Sequence, residues 1–394
     1  MVITNDIKYV GVNDHDIDLF EGHYIVPEGM AYNSYVICDE KSCVMDSVDG
    51  GFADEWIGKV KDALCGKAPD YLIIQHMESD HSGSIKAFMD EFGATKIVSS
   101  QKSFTMMSNF FEGEDFADRR IVVKEGDSLE LGSHTLSFIA APMVHWPEVI
   151  MTYDSKDKLL FSADAFGRFG ALDEVGETVR EDDDWACEAR RYYFGIVGKY
   201  GAQTQAVLKK IANLEIEQIC SLHGPVINEN LDYYLGIYDI WSSYKSESQG
   251  VVIAYTSVYG NTKKAVESLA ERLKELGVPR VEMTDLARDD MAEAVEYAFR
   301  HDTVVFATTT FNNDVFPYMR EFIHSLTERN FQNKRVAFIE NGSWAPAAGK
   351  IMKGMLENCK GLIYAENEVK ILSALNDESR AQLEALAKEL AEIY

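Results

Sequence analysis

The run YLIIQHMESDHSGS, Tyr71–Ser84, carries an apolar stretch straight into side chains that bind metals well: His76, Glu78 and Asp80 at alternate positions, with His81 directly after. The apolar stretch reads as a buried strand ending at His76, followed by a loop up to the helical pattern SIKAFMDEF. Alternate residues of an extended loop share a face, so His76 and Glu78 point to one side. Asp80 and His81 are then free to turn toward a second centre. Two neighbouring metal ions would employ all four groups, provided further ligands arrive from elsewhere. Candidates for these are present. His145 follows FIAAPMV, Asp164 follows LLFSA and His223 follows ICSL. Each closes an apolar, strand-like run, where an α/β scaffold presents ligands on loops.

Around this stretch, residues up to about 245 read as short strands and hairpins with a few helices. SYVICD, CVMDSV, TKIVSS, RIVVKEGDSLELG, HTLSFIAA, VIMTYD and KLLFSAD are β-branched or aromatic runs bounded by turn residues. Beyond IWSSYKSESQG the texture changes. VVIAYTS, RVEMTDL, TVVFATTT, RVAFIENG and LIYAENEVKIL are separated by long amphipathic patterns such as TKKAVESLAERLKELG, the alternation of a doubly wound parallel sheet. The boundary falls in the polar segment Lys245 to Gly250, which gives domains at 1–247 and 248–394.

The 394 residues, 46% of them apolar, suffice for two ordinary cores. A net charge of −27 argues against a nucleic-acid binder and against adsorption to anionic membranes. The six cysteines form no C-x-x-C pair, which reads as buried thiols in a reducing compartment. With neither a leader-like N-terminus nor a bilayer-length apolar run, the expectation is a cytoplasmic protein with no membrane segment.

In the second half, VVIAYTSVYGNTKKAVESLA is a strand, a loop of small hydroxylated residues and a helix. Thr256, Ser257, Asn261 and Thr262 and free backbone amides surround one point at the helix N-terminus, where the dipole favours an anion. With neither a P-loop lysine nor G-x-G-x-x-G, a monophosphate held by neutral donors is the better fit. TTTFNND and ENGSWAPAAG also end strands and meet this loop at the switch point, where Tyr259, Phe311 and Trp344 could flank a flat aromatic ring.

TSVYGNT, TTTFNND and NGSW resemble the phosphate loop and two ring-contacting loops of flavodoxins. The resemblance implies flavin mononucleotide (FMN) held by Thr256, Ser257, Val258, Tyr259, Gly260, Asn261 and Thr262. Thr309, Thr310, Phe311, Asn312, Asn313, Asn341, Gly342, Ser343 and Trp344 would meet its ring. The first half resembles the metallo-β-lactamase superfamily, an αββα sandwich whose H-x-H-x-D-H is written here H-x-E-x-D-H. Glu78 in place of a histidine enriches the site in oxygen ligands, which suits iron better than zinc. Asp164 would bridge two irons, with His76, Glu78 and His145 on one and Asp80, His81 and His223 on the other. Whether His81 binds in every redox state stays open. Asp46 matches the superfamily's first acidic motif, a support for the metal loop rather than a ligand.

The two halves in this order resemble the flavodiiron proteins over essentially the whole chain. PMVHWPE and ARRYYF look like family segments and imply that Trp146 and Tyr193 lie near the metal pocket, with Tyr193 a hydrogen-bond donor to reduced intermediates. The other histidines read as structural, although His23 could line the pocket. The resemblance implies reduction of dioxygen to water, of nitric oxide to nitrous oxide, or of both, by a non-haem diiron centre fed through FMN. It further implies a head-to-tail homodimer, with a tetramer as the larger alternative. Rubredoxin, a reduced deazaflavin and a flavin reductase all remain open as the electron donor. Two competing readings are a zinc hydrolase with an attached flavodoxin domain and a non-enzymatic electron carrier.

Overall fold

Buried runs produce three large sheets and two two-stranded ones among the described residues of the computed structural model, which describes residues 1, 3–179 and 185–394. The first sheet has six strands in the order Ile7–Tyr9, Tyr35–Ile37, Cys43–Met45, Tyr71–Ile73, Lys96–Ser100 and Arg120–Val123. The first three run antiparallel to one another and the rest pair in parallel. The second has five: Ser128–Glu130, Thr135–Ala140, Ile150–Asp154, Leu159–Phe161 and Gln218–Cys220. Their inner faces meet in one core, where Ile37, Met45, Ile73 and Val98 pack with Phe138, Ile150, Phe161 and Cys220. Burying a side chain such as Phe161 contributes about 2 kcal/mol. Helices Ala53–Ala63, Ile85–Glu91 and Gln101–Phe110 alternate with strands of the first sheet, and Trp56 stacks on Phe88 at 4.9 Å. These features form the expected αββα sandwich.

The third sheet runs Val281–Asp285, Ser248–Tyr255, His301–Phe311, Arg335–Asn341, then Ile363–Tyr364, with Val369–Ile371 beside the fourth strand. Numbered along the chain this is 2-1-3-4-5, the doubly wound order whose switch point lies between the first and third strands. All of these pairings are parallel. The first strand is buried from Gly250 to Tyr255, as a strand covered on both faces must be. Helix Asp377–Ala391 opens with a capping box between Asn376 and Ser379.

The chain divides into two compact units, Met1–Asp239 and Ile240–Tyr394. The division falls inside helix Leu231–Ser242, ahead of the 247/248 boundary read from the sequence. Among the described residues no helix is long and apolar enough to cross a membrane.

Candidate functional site

In the first unit the strand ends at Ile73, three residues before the expected His76, and Ser79–Ser82 forms a short helical turn where a loop was expected. Asp80 and His81 therefore sit on a helical turn, while Glu78 precedes it in extended conformation. The segment between strand and turn is braced by side chains. Asp46 accepts from the Gln75 backbone N–H at 2.7 Å and its side-chain amide at 2.8 Å. Ser99 Oγ donates to the Ile74 carbonyl at 2.6 Å and Ser82 Oγ to that of Met77 at 3.0 Å. Across the site, Asn33 Nδ2 donates to the carbonyls of Ser221 (2.9 Å) and Gly224 (2.8 Å), fixing the loop that carries His223.

Ligating atoms gather in two groups, His76, Glu78, His145 and Asp164 in one and Asp80, His81 and His223 in the other. Every histidine turns Nε2 inward. Glu78 Oε2 lies 3.3 Å from His76 and 3.0 Å from His145, while Asp164 Oδ2 lies 3.3 Å and 3.0 Å from the same two. The other Asp164 oxygen, Oδ1, faces His81 at 3.3 Å and His223 at 3.7 Å. Asp80 Oδ2 approaches His81 at 3.3 Å and His223 at 3.2 Å. One carboxylate thus addresses both groups, the geometry of a bridging ligand.

These residues fit metal ions on two counts. Among the described residues the oxygens of Asp80 and Asp164 are buried without a hydrogen-bond partner, which is costly unless something else coordinates them. The Nε2 atoms of His81 and His223 approach to 3.0 Å, a contact two ring nitrogens make when aimed at a common point. The electrostatics agree. Burial alone would depress His76, but Asp164, Glu148 and Glu78 hold it well above the usual imidazole range. His145 rises to about 9 against its own burial, through Asp164 and Glu78. Asp164 is held far below the carboxylate range, its burial outweighed by His76, His145 and His81.

Around the ligands, Trp146 meets His76 edge-on at 5.2 Å, as the sequence implied. The Tyr193 ring packs against Tyr238 at 4.9 Å and Phe194 at 5.1 Å. The neighbour Tyr192 lies against the cluster, 5.5 Å from His223 and 5.2 Å from Phe169. Burial, then the carboxylates of Asp164, Asp80 and Glu78, push its hydroxyl well above the usual tyrosine range. The two tyrosines sit where helix Trp185–Tyr192 gives way to a wider turn at Tyr193–Val197, and sequence gave no phase for that junction. Phe20, edge-on to His223 at 5.4 Å, and Glu148, bonded to His76 Nδ1 at 2.8 Å, also escaped the sequence reading. Glu148 had a signal, since it stands three residues after His145 in PMVHWPE. His23 is exposed and packs on Tyr24 at 4.0 Å. His134 is buried and bonded to Asp154 at 2.8 Å.

In the second unit the expected loops converge. Thr256 and Thr308 hydroxyls meet at 2.6 Å, Thr262 and Thr309 at 3.3 Å, and Asn341 Nδ2 reaches Thr262 at 3.3 Å. Ser257 Oγ accepts from the N–H groups of Gly260 (3.1 Å) and Lys263 (3.2 Å) at the start of helix Asn261–Glu275. Gly260 takes φ 87°, a conformation glycine adopts without strain. Thr310 Oγ1 accepts from Ala347 N–H at 2.9 Å and Ala348 N–H at 3.1 Å, tying the second loop to the third. Above these polar contacts Tyr259 is 92% exposed and Trp344 81%, with Val258 and Phe311 about half that. Such exposure is unusual for large apolar side chains and fits a ring that lies between them. Ser373, whose hydroxyl donates to Ser343 Oγ at 2.6 Å and whose carbonyl accepts from Asn341, adds a fourth segment that the sequence reading missed. Asn312 and Asn313, both at positive φ, turn the chain after Phe311.

Comparison with known proteins agrees with both halves. A family model described as ODP family beta lactamase matches residues 30–224, and a flavodoxin-domain model matches 252–363. The solved rubredoxin oxygen:oxidoreductase of Desulfovibrio gigas superposes with a TM-score of 0.92 at 26% identity, covering 100% of this chain and 98% of that one. The chain belongs to the flavodiiron protein family. A flavodiiron protein from Giardia intestinalis shares the fold, with a TM-score of 0.91 at 24% identity over 99% of this chain and 95% of that one. An uncharacterized protein of Methanocaldococcus jannaschii is 31% identical over 99% of this chain and 98% of its own length. The anaerobic nitric oxide reductase flavorubredoxin of Escherichia coli is 28% identical over 88% of this chain and 73% of its own. Flavodiiron proteins are oxidoreductases, so neither a hydrolase nor a bare electron carrier is favoured.

Proposed function

We propose that this flavodiiron protein reduces dioxygen to water, nitric oxide to nitrous oxide, or both, at an iron pair held by His76, Glu78, His145, Asp80, His81, His223 and the shared Asp164. The observation that carries the reading is Asp164, whose two oxygens face separate ligand groups. Three carboxylates among four histidines make an oxygen-rich set suited to iron. When bound, FMN and iron would supply the electron-transfer chemistry needed to reduce a diatomic substrate. The chain's own part is placement, exclusion of water and protons. Phe20, Trp146 and Tyr192 wall the ligands with aromatic rings, and Tyr192, its hydroxyl buried without a hydrogen-bond partner, is the donor suited to a reduced oxygen or nitrogen atom.

The polar loops of the second unit would hold the FMN phosphate through Ser257, Thr262 and helix-terminal amides, with Tyr259 and Trp344 available to the ring. A head-to-tail dimer brings the flavin of one subunit to the metals of its partner, and a rubredoxin-like carrier or a flavin reductase supplies electrons in the cytoplasm. Relatives named for oxygen and for nitric oxide support both substrates. The test is anaerobic stopped-flow mixing of the reduced, iron-loaded protein with each gas. Flavin oxidation following iron oxidation is expected with at least one gas. Stoichiometric zinc without iron in purified protein, or no oxidation by either gas, refutes the proposal.

A further inference from the structure

The two ligand groups differ in what stands behind their histidines. His76 Nδ1 lies 2.8 Å from Glu148 Oε1, and the same oxygen accepts from the Met77 N–H at 2.9 Å. Glu148 is 2% exposed and its other oxygen has no hydrogen-bond partner among the described residues, so His76 is the imidazole its charge faces. His223 Nδ1 meets the neutral carbonyl of Ala31 at 2.8 Å, and His81 Nδ1 is buried with no hydrogen-bond partner among the described residues. A carboxylate behind an imidazole fixes the tautomer, leaves the opposite nitrogen free to ligate and makes it a stronger donor. A carbonyl does this weakly, and an unpartnered nitrogen does not do it.

We propose that Glu148 is a positioning residue that makes the two halves of the centre unequal, so that the His76, Glu78 and His145 half binds its metal first and more tightly. Glu148 also follows His145 on one short loop while gripping His76 and Met77 on another. It therefore sets two ligands of the same half together. The other half, Asp80, His81 and His223, lacks any such carboxylate and fills second.

This inference rests on the two-metal reading of the cluster, and one titration separates the two. The metal-free full chain is titrated with Co(II) against a chelator, and the visible spectrum is recorded at each equivalent. Two equivalents bound in distinguishable steps are expected; failure to bind two equivalents sinks the two-metal reading itself. Glu148→Gln keeps the shape and an acceptor oxygen but removes the charge. It should weaken the first step by about ten- to a hundredfold and leave the second within about threefold. In the iron-loaded variant, the Mössbauer doublet of one ion should shift and the other stay. Glu148→Asp, which keeps the charge, should hold the first step within about tenfold of the unmodified chain. Equal losses at both steps, no loss at the first, or a loss in Glu148→Asp as large as in Glu148→Gln overturns the proposal.

Discussion

Stripping the metals from this flavodiiron protein should leave a site that holds protons in their place. Without a metal ion His145 titrates near 9, and His76 lies well above the usual imidazole range. Both are therefore protonated at pH 7, although a ligating imidazole must be neutral. Freeing His145 at pH 7 spans about two pH units, roughly 2.7 kcal/mol of metal affinity. His76 adds a contribution of the same sign. The first Co(II) or Zn(II) ion bound should release about two protons at pH 7, and its affinity should rise roughly a hundredfold per pH unit up to about pH 8, with the His145 share of that slope flattening beyond 9. Isothermal titration calorimetry in buffers of differing ionisation enthalpy counts these protons directly. Release of fewer than one proton at pH 7, or an affinity flat between pH 6.5 and 8.5, would refute the reasoning.

Lys334 is 2% exposed and donates to Ser246 Oγ at 2.8 Å and to the carbonyls of Phe299 and His301, with burial pushing it down to about 7. Between pH 7 and 10.5 the unfolded chain holds this proton more firmly than the folded one, so stability should rise with pH across that window by up to roughly 4–5 kcal/mol. Urea unfolding at pH 7.5 and 9.5 should show this slope, and Lys334→Met should lose it; an unchanged slope in the variant counts against the assignment. Tyr192→Phe should lower turnover at least tenfold with iron content retained, whereas Tyr193→Phe should stay within about threefold; equal effects in rapid-mixing assays would undo the distinction. Ser257→Ala removes the acceptor for two N–H groups at the phosphate loop. FMN affinity should fall by about 1 kcal/mol in a fluorescence titration, and an unchanged dissociation constant would contradict the placement.

Much of this architecture was legible because its signals are local. The candidate ligands from His76 to His81 are contiguous, and His145, Asp164 and His223 each follow an apolar run, so strand ends were enough to point to the residues that the fold gathers into two groups. Strand and helix spacing after Gly250 likewise implied a parallel sheet. Contacts that depend on how distant segments meet were not legible. Phe20 reaches His223 from a hairpin of two-residue strands, Leu19–Phe20 and Tyr24–Ile25, too short for periodicity to register. LIYAENEVKIL reads as one apolar run, but forms two short pieces, Ile363–Tyr364 and Val369–Ile371, on either side of a turn. That break brings the following Ser373 back to Asn341. The Tyr192 and Tyr193 pair shows the same limit, since one residue of helical phase decides which ring faces the ligands.

The struts formed by Asp46 and Asn33 hold the ligand-bearing segments through bonds that involve no ligating atom. The protein should therefore behave as a socket. Ions could be withdrawn and exchanged while the surrounding frame keeps its outline, so an oxidised or damaged centre would be repaired by refilling and not by making the chain anew.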